Sequence, residues 1–138
     1  MITGELIIIN KQRKHPIDSR SVRRFLLRLV SELGVQDRAV SVVLITDSVM
    51  QRYNRQYRGF DKSTDVLSFP GEQLYLGDIL ISSETAYNQS LKSRVLTFEQ
   101  NVRRLMLHGL LHLMGYDHET DDGEMRSIER RLRRRFQC

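Results

Sequence analysis

Cysteine is nearly absent from this sequence. The chain has 138 residues and one cysteine, Cys138, at the last position. A single thiol forms no internal disulfide, and it offers no cysteine cluster to a metal ion. Any metal site in this chain therefore has to use histidine and carboxylate ligands.

Long hydrophobic runs are also absent. The longest nearly apolar stretches, residues 6–9 and 42–45, fall far short of the roughly 20 residues that span a bilayer. The first ten residues, MITGELIIIN, have no basic segment before an apolar one and no small-residue cleavage site, so they do not resemble a secretion signal. We therefore expect no membrane segment and a cytoplasmic location.

The composition is that of a folded globular protein, with 40% hydrophobic and 28% charged residues. A disordered chain would lack the apolar surface that offsets the entropy of ordering. The length matches about one ordinary domain, and no linker, repeat or low-complexity segment divides the chain. We expect a single domain over residues 1–138.

The chain carries an excess of positive charge. Lysine and arginine number 22 against 17 acidic residues, which gives a net charge of +5 and favours a polyanionic partner. Basic residues at a helix end also complement the helix dipole, so a solvated helix face and a contact surface for RNA are both open interpretations of the basic end. That end contains Arg126, Arg130, Arg131, Arg133, Arg134 and Arg135.

Hydrophobic periodicity predicts four strands, over residues 5–10, 39–46, 66–69 and 76–82. It also predicts helices that end near residues 33, 57, 91, 115 and 136. This order predicts an α+β fold with a single mixed four-stranded sheet packed with about five to six helices. The candidate helix caps are Asp18 or Ser19, Asp47 or Ser48, Ser82 or Ser83, Thr97, and Asp121 or Asp122.

Three of the four histidines lie within one short segment, HGLLHLMGYDH, from residue 108 to residue 118. Residues four apart on a helix share a face and lie about 6 Å apart along its axis, so His108 and His112 can bind one ion. Gly115 can adopt the left-handed conformation that ends the helix, and His118 can then return as a third ligand. Three ligands leave a tetrahedral zinc ion with an open position, which is typical of catalytic zinc.

The histidine spacing is that of the metzincin peptidase motif H-E-x-x-H-x-x-G-x-x-H. Gly109 stands where that motif has glutamate, which is the general base that activates water against an amide. The segment therefore predicts a zincin-like metal helix without the peptidase base, with zinc-dependent peptide cleavage as an alternative. Three core histidines that happen to share a helix are the simplest other interpretation, and a glycine at the turning point disfavours it.

Phosphodiester hydrolysis depends less strictly on that glutamate. A metal ion activates water and polarises a phosphoryl oxygen, while a nearby cation stabilises charge on the phosphate. The segment YRGFDKSTDVLSFP, residues 57–70, offers Arg58 and Lys62 on a loop that enters a strand. Arg58 is the better candidate because its planar fork matches two phosphate oxygens, although an ordinary surface charge is the alternative for either residue.

Two segments, HGLLHLMGYDH at 108–118 and STDVLSFP at 63–70, resemble motifs of the YbeY family of bacterial metal-dependent endoribonucleases. The LGDI segment at 76–79 and the order of the elements also agree, so the resemblance covers nearly the whole chain. It implies a single-strand-specific endoribonuclease in 16S rRNA 3′-end maturation and ribosome quality control, with 16S rRNA and the small ribosomal subunit as partners. It further implies that His108, His112 and His118 bind one zinc ion and that Arg58 lies at the catalytic site.

Other polar residues near these motifs have open roles. Ser63 replaces the family's proline before Thr-Asp, which predicts a looser loop. Asp65 and Ser68 either line the cleft or serve as a loop cap and a solvent-facing strand residue. Asp78 either supports a ligand histidine or has no such role. Asp117 either orients His118 or caps the turn, and we favour the turn.

The chemistry leaves further alternatives. The metal is zinc, nickel or manganese, since imidazole suits several of these ions. Either water or a ribose 2′-hydroxyl is the nucleophile. A ribosome-binding assembly factor with a structural zinc, whose shell is closed by a fourth protein ligand, is an alternative of another class. The oligomeric state and the preferred cleavage site are not predicted.

Overall fold

The computed structural model describes residues 4–138, which form four strands and five helices in the predicted order. The strands are β1 (Leu6–Asn10), β2 (Ala39–Ile45), β3 (Val66–Pro70) and β4 (Tyr75–Ser82). The helices are α1 (Ser19–Glu32), α2 (Asp47–Arg58), α3 (Ser83–Lys92), α4 (Phe98–Leu113) and α5 (Glu124–Phe136). The predicted α+β fold with one mixed sheet is confirmed.

The sheet has the strand order β1-β2-β4-β3. β1 and β2 are parallel, and α1 connects them. β2 and β4 are also parallel, and the connection between them contains α2 and β3. Parallel neighbours need such long connections. β3 is antiparallel to β4 and forms an edge of the sheet. Helix α4 packs against β3 and β4, which places the histidine helix beside the strand that follows the 59–65 loop.

The main hydrophobic core lies between the sheet and the helices α1, α4 and α5. Ile79 and Ile81 of β4 face this core, whereas Leu80 between them joins a second cluster with Met50 of α2, as the two-residue period of a strand requires. Nine of the 16 residues of α4 are buried. Because a fully buried aliphatic side chain contributes about 1.5–3 kcal/mol, α4 is firmly held on the sheet.

Two predicted helix starts are confirmed in detail. At the start of α1, the Asp18 carboxylate accepts hydrogen bonds from the N–H groups of Arg20 and Ser21. At the start of α4, the Gln100 N–H donates to the Thr97 hydroxyl at 3.2 Å, and the Thr97 N–H donates to the Gln100 side chain at 2.9 Å. This reciprocal pair is the predicted capping box, and it satisfies two N–H groups that the helix leaves free.

The prediction of Asp47 or Ser48 as the cap of α2 is wrong. Thr46 is the cap, and its hydroxyl accepts a hydrogen bond from the Val49 N–H at 3.4 Å. Asp47 is the first residue of the helix, and its carboxylate instead accepts hydrogen bonds from hydroxyl groups of other segments. Hydrogen bonds from residues distant in the sequence therefore take the place of local helix capping at Asp47.

The start of α5 also differs from the prediction. The helix begins at Glu124, and Gly123 with a φ of +97° occupies the cap position that was expected for Asp121 or Asp122. The Asp121 carboxylate still accepts hydrogen bonds from the N–H groups of Gly123 at 2.8 Å and Met125 at 3.0 Å. The aspartate therefore caps the first turn from outside the helix.

Across residues 4–138, none of the helices combines the length and the apolar character that crossing a bilayer requires.

Candidate metal centre

The turn after α4 directs the chain toward His118. Gly115 has a φ of +96°, a conformation that glycine adopts without steric cost. Its N–H donates to the His112 carbonyl at 3.0 Å, and the Tyr116 N–H donates to the Leu111 carbonyl at 3.1 Å. These bonds satisfy carbonyl groups that the end of the helix leaves free, so the predicted glycine turn is confirmed.

The three predicted ligand histidines lie together at the exposed edge of α4. The Nε2 atoms of His108 and His112 are 3.1 Å apart. Two nitrogen ligands of a tetrahedral zinc ion are separated by about 3.3 Å, so this spacing suits a shared ion. The ring of His118 stacks on that of His108, with centroids 5.6 Å apart. The arrangement brings all three imidazoles into one cluster.

Glu129 of α5 joins this cluster, and it was not among the predicted residues. One carboxylate oxygen lies 2.7 Å from Nε2 of His118, and the other lies 3.2 Å from Nδ1 of His108. The ligand atoms of His108, His118 and Glu129 all lie within 4.8 Å of one another. The donor set is therefore imidazole and carboxylate, as the shortage of cysteine requires, and it fits a divalent transition metal.

The sequence carries a signal that points to Glu129. Met125, Leu132 and Phe136 are the buried residues of α5, and Ile128 packs against the core. Helical spacing places Glu129 on this same inward face. An acidic residue at an inward position of an arginine-rich helix needs a partner, and that requirement identifies it as a candidate site residue.

Two side chains of the cluster have shifted pKa values. Burial raises the pKa of Glu129, but hydrogen bonds and charge from His108 and His118 outweigh it, so the pKa lies below its ordinary value. Burial lowers the pKa of His112, and the neighbouring His108 lowers it further. The shift favours the ionised form of Glu129 and the neutral form of His112.

Gly109 occupies the position of the missing peptidase base, and its side of α4 faces the sheet. A Cβ atom there would lie 2.7 Å from Cγ2 of Ile79 and 3.1 Å from Oγ of Ser68. The Ser68 hydroxyl donates a hydrogen bond to the Gly109 carbonyl at 2.9 Å. There is no space for a glutamate at this position, so the geometry gives no support to the metallopeptidase alternative.

Arg58 and the three histidines line one cleft of about 500 Å³. Arg58 is the last residue of α2, and Gly59 follows with a φ of +75°. Its guanidinium lies 5.4 Å from the centre of the Phe60 ring. Within the described part of the chain, Arg58 forms no ion pair with a carboxylate. Its charge is therefore free to face a ligand in the cleft. Lys62 is not among the residues that line it.

Asp65 and Ser68 also line this cleft. The Asp65 carboxylate accepts hydrogen bonds from the Val66 N–H at 2.8 Å and from the Gln89 side chain at 3.2 Å. Asp65 therefore combines both of its predicted roles, because it caps the loop and reaches the cleft. Ser68 is not simply a solvent-facing strand residue. Its hydroxyl donates a hydrogen bond to the Gly109 carbonyl, which links β3 to α4.

Three other polar residues have structural roles. Asp78 accepts hydrogen bonds from the hydroxyls of Ser41 and Tyr75 and lines a different cavity, which agrees with the alternative in which it supports no ligand histidine. Asp117 accepts a hydrogen bond from the Glu119 N–H at 2.9 Å, which agrees with the turn. Ser63 donates to the Asp47 carboxylate at 3.0 Å, and this bond tethers the loop that was expected to be looser.

Comparison with known proteins identifies the family. The family model described as Endoribonuclease YbeY matches residues 7–137, a range that contains the whole histidine cluster, Glu129 and Arg58. The chain belongs to the YbeY family. The resemblance seen in the sequence motifs is therefore confirmed, and YbeY proteins are by name hydrolases that cleave RNA.

Individual YbeY proteins are similar to this chain over most of its length. The chain is 38% identical over 141 residues to an Endoribonuclease YbeY of Geobacter metallireducens, covering 96% of this chain and 93% of the relative. It is 46% identical over 114 residues to one of Solibacter usitatus, covering 82% and 76%. The solution structure of TM1509 from Thermotoga maritima matches with a TM-score of 0.65 and 28% identity, covering 91% of this chain and 85% of that protein.

Proposed function

We propose that this chain is a metal-dependent endoribonuclease that cleaves single-stranded RNA. Zinc is the proposed ion, held by His108, His112 and His118, and Arg58 is the proposed catalytic residue. The observation that carries the proposal is one cleft, lined by the three histidines together with an arginine that forms no ion pair within residues 4–138. A cation beside a metal centre suits a phosphodiester substrate, because both stabilise charge that develops on the phosphate.

The chain's own groups have distinct parts in this proposal. When bound, zinc supplies a Lewis acid that polarises a phosphoryl oxygen and lowers the pKa of water at the site. Arg58 donates two parallel N–H bonds to the phosphate oxygens and so orients the scissile group. Glu129 accepts from Nδ1 of His108 at 3.2 Å, and this fixes the tautomer that leaves Nε2 as the ligand atom.

The proposed cellular role is 16S rRNA 3′-end maturation and ribosome quality control in the cytoplasm, with the small ribosomal subunit as partner. Membership of the YbeY family supports this role, as does the net charge of +5. A basic protein is attracted to RNA through its phosphates, and this attraction weakens as salt is added.

A second candidate is a ribosome-binding assembly factor with a structural zinc ion. One specific observation favours it: Glu129 lies 2.7 Å from His118, close enough to serve as a fourth protein ligand. Four protein ligands would close the coordination shell and leave no position for a reacting group. In that case chelation of the metal should unfold the protein, whereas a catalytic site should lose activity and keep the fold.

The deciding experiment is cleavage of single-stranded RNA by the zinc-loaded protein. We expect Arg58→Ala to reduce the rate by about 100-fold, as loss of a group that stabilises transition-state charge does. Arg52→Ala on the exposed face of the same helix is the matched control and should cleave normally. RNA that stays intact with the wild type, or equal rates for the wild type and Arg58→Ala, would refute the proposal. Products with 2′,3′-cyclic phosphate indicate the 2′-hydroxyl as nucleophile, and 5′-phosphate products indicate water.

A further inference from the structure

A second cavity of about 550 Å³ adjoins the histidine cluster on the side of α5. His108 and His118 line both this cavity and the Arg58 cleft, so the two cavities meet at these rings. We call it the arginine pocket, because five arginines line it: Arg104, Arg126, Arg130, Arg133 and Arg134. Four of these belong to α5, and one belongs to α4.

The arginine pocket has an excess of positive charge, because five arginines and one acidic side chain line it among the described residues. Among residues 4–138, none of the five arginines forms an ion pair with a carboxylate. Glu129 lines the pocket, and its two oxygens are already bonded to His108 and His118. Two neighbouring arginines behave differently, since Arg103 pairs with Glu99 at 3.2 Å and Arg135 with Glu32 at 3.4 Å.

Two of the guanidinium groups in the pocket are held in place by hydrogen bonds within the protein. The Arg104 Nε–H donates to the Asn101 side chain at 2.9 Å, and the Arg133 Nε–H donates to the main-chain oxygen of Cys138 at 3.0 Å. These bonds use Nε and leave further N–H groups of each fork available. A guanidinium that is oriented in advance loses less entropy when it binds an anion.

The helix dipole does not explain this arrangement. A cation at the end of a helix is stabilised by the dipole, and this accounts for arginines in the last turn of α5. Arg126 lies near the start of the same helix, where the dipole disfavours a cation, and Arg104 belongs to a different helix. Arginines that the helix dipole stabilises and arginines that it does not stabilise line the same cavity. The helix dipole therefore does not account for their common location.

We propose that the arginine pocket binds backbone phosphates of the RNA strand, next to the nucleotide whose phosphate lies at Arg58. This inference rests on the proposed function. One strand would then run from the Arg58 cleft, across His108 and His118, into the arginine pocket. RNA phosphates fit this pocket because arginine forks bind phosphate oxygens in pairs and because a single strand is bound through its backbone charge.

The test compares two double variants of α5 that remove the same charge at the same spacing. Arg130→Gln with Arg134→Gln removes two arginines of the pocket. Arg131→Gln with Arg135→Gln removes two that do not line it and serves as the matched control. Binding is measured by fluorescence anisotropy of a labelled 2′-O-methyl oligouridylate at several salt concentrations. Gel analysis verifies that the probe stays intact, and thermal melting verifies the fold of each variant.

We expect the pocket variant to bind the probe about tenfold or more weakly than the wild type, as removal of charged hydrogen bonds does. The slope of log affinity against log salt should become shallower by about 0.7 for each phosphate that the variant no longer neutralises. The control should bind within about twofold of the wild type, since neither of its two arginines lines the pocket. Arg130→Lys with Arg134→Lys should recover part of the affinity, because lysine keeps the charge but not the fork.

Equal affinities and equal slopes for the two double variants would overturn the inference. Displacement of the probe by polyglutamate at the same charge concentration would also overturn it, because the pocket would then serve an acidic protein. The proposed function can fail separately from this inference. If the wild type never cleaves RNA but the pocket variant binds the probe weakly, the nuclease proposal is refuted and the phosphate-binding role of the pocket is supported. A wild type that cleaves RNA, with both variants binding alike, refutes the pocket alone.

Discussion

Helices α4 and α5 contribute to the same site from different environments. Nine of the 16 residues of α4 are buried, compared with three of the 13 residues of α5. α4 approaches the sheet so closely that Gly109 has no space for a Cβ atom, whereas α5 leaves most of its arginines exposed. We infer that α4 sets the positions of His108 and His112 and that α5 adjusts the charge around them. Substitutions on α4 should therefore have larger effects on the site than substitutions on α5.

The largest expected effect is the loss of a ligand on α4. His112→Ala should reduce zinc affinity by more than about 100-fold, which is the upper range for loss of a residue that only supports a ligand. Metal content after dialysis against a competing chelator measures this. His15→Ala is the control, because His15 stacks on Tyr87 away from the cluster. Zinc retention equal to that of the wild type would exclude His112 as a ligand.

The contact between α4 and the sheet should appear in the stability of the protein. Gly109→Ala should lower the free energy of unfolding by about 1–3 kcal/mol, because the new Cβ would lie 2.7 Å from Cγ2 of the fully buried Ile79. At an uncrowded position within a helix, the same change stabilises by up to about 1 kcal/mol. The sign measured by urea denaturation is therefore diagnostic, and a gain in stability would contradict the close approach.

A change on α5 should have a smaller effect on the metal. Glu129→Gln keeps the shape of the side chain and removes its charge, so zinc affinity should fall by about 10-fold to 100-fold. Glu124→Gln on the same helix is the matched control, because Glu124 is exposed and does not line the cavities beside the histidines. Competition with a chromophoric chelator measures the affinity. A loss larger than that of His112→Ala, with unfolding on chelation, would favour the structural-zinc alternative.

The smallest expected effect lies outside both helices, at Asp47. Burial raises the pKa of Asp47, but hydrogen bonds from Ser82, Thr85 and Ser63 outweigh it, so the pKa lies below its ordinary value of 3.8. A lowered pKa in the folded state contributes stability above pH 3.8, and this contribution is lost as the pH falls through the folded-state pKa.

Asp47→Asn should therefore destabilise the protein modestly at pH 6 and less at about pH 3, because the stability that the carboxylate contributes decreases as the pH falls below 3.8. Urea denaturation at the two pH values measures the difference. Zinc affinity at pH 7 should be unchanged in this variant, because Asp47 does not line the cleft. The same loss of stability at both pH values would indicate that the hydrogen bonds, and not the charge, account for it.

The parts of the molecule that depend on neighbouring residues could be predicted from the sequence. The capping box at Thr97 and Gln100 and the turn at Gly115 involve residues within a few positions of one another, and both were predicted. The convergence of His108 and His112 follows from helical geometry alone. That these residues bind metal stays a prediction.

The parts that depend on distant residues could not be predicted in the same way. Glu129 meets His108 across 21 positions of the sequence, and only the packing of α5 against α4 brings them together. Asp47 resembles a helix cap locally, but serines and a threonine from later segments bond to its carboxylate. Gly109 has no side chain, so a hydrophobic pattern gives no sign of its contacts. Its role in the close approach of α4 to the sheet follows from the position of Ile79 in the structure.

The turn from His112 to His118 is secured by main-chain hydrogen bonds, together with one that the Glu119 N–H donates to the Asp117 carboxylate. Main-chain bonds tolerate many side chains but not a change in the number of residues, because each added residue rotates and displaces everything after it. Side-chain changes that keep Gly115 and the two histidines should therefore be better tolerated than insertion or deletion of a single residue, which should remove His118 from the cluster. The number of residues between His112 and His118, together with the glycine at position 115, is what mutation must preserve here.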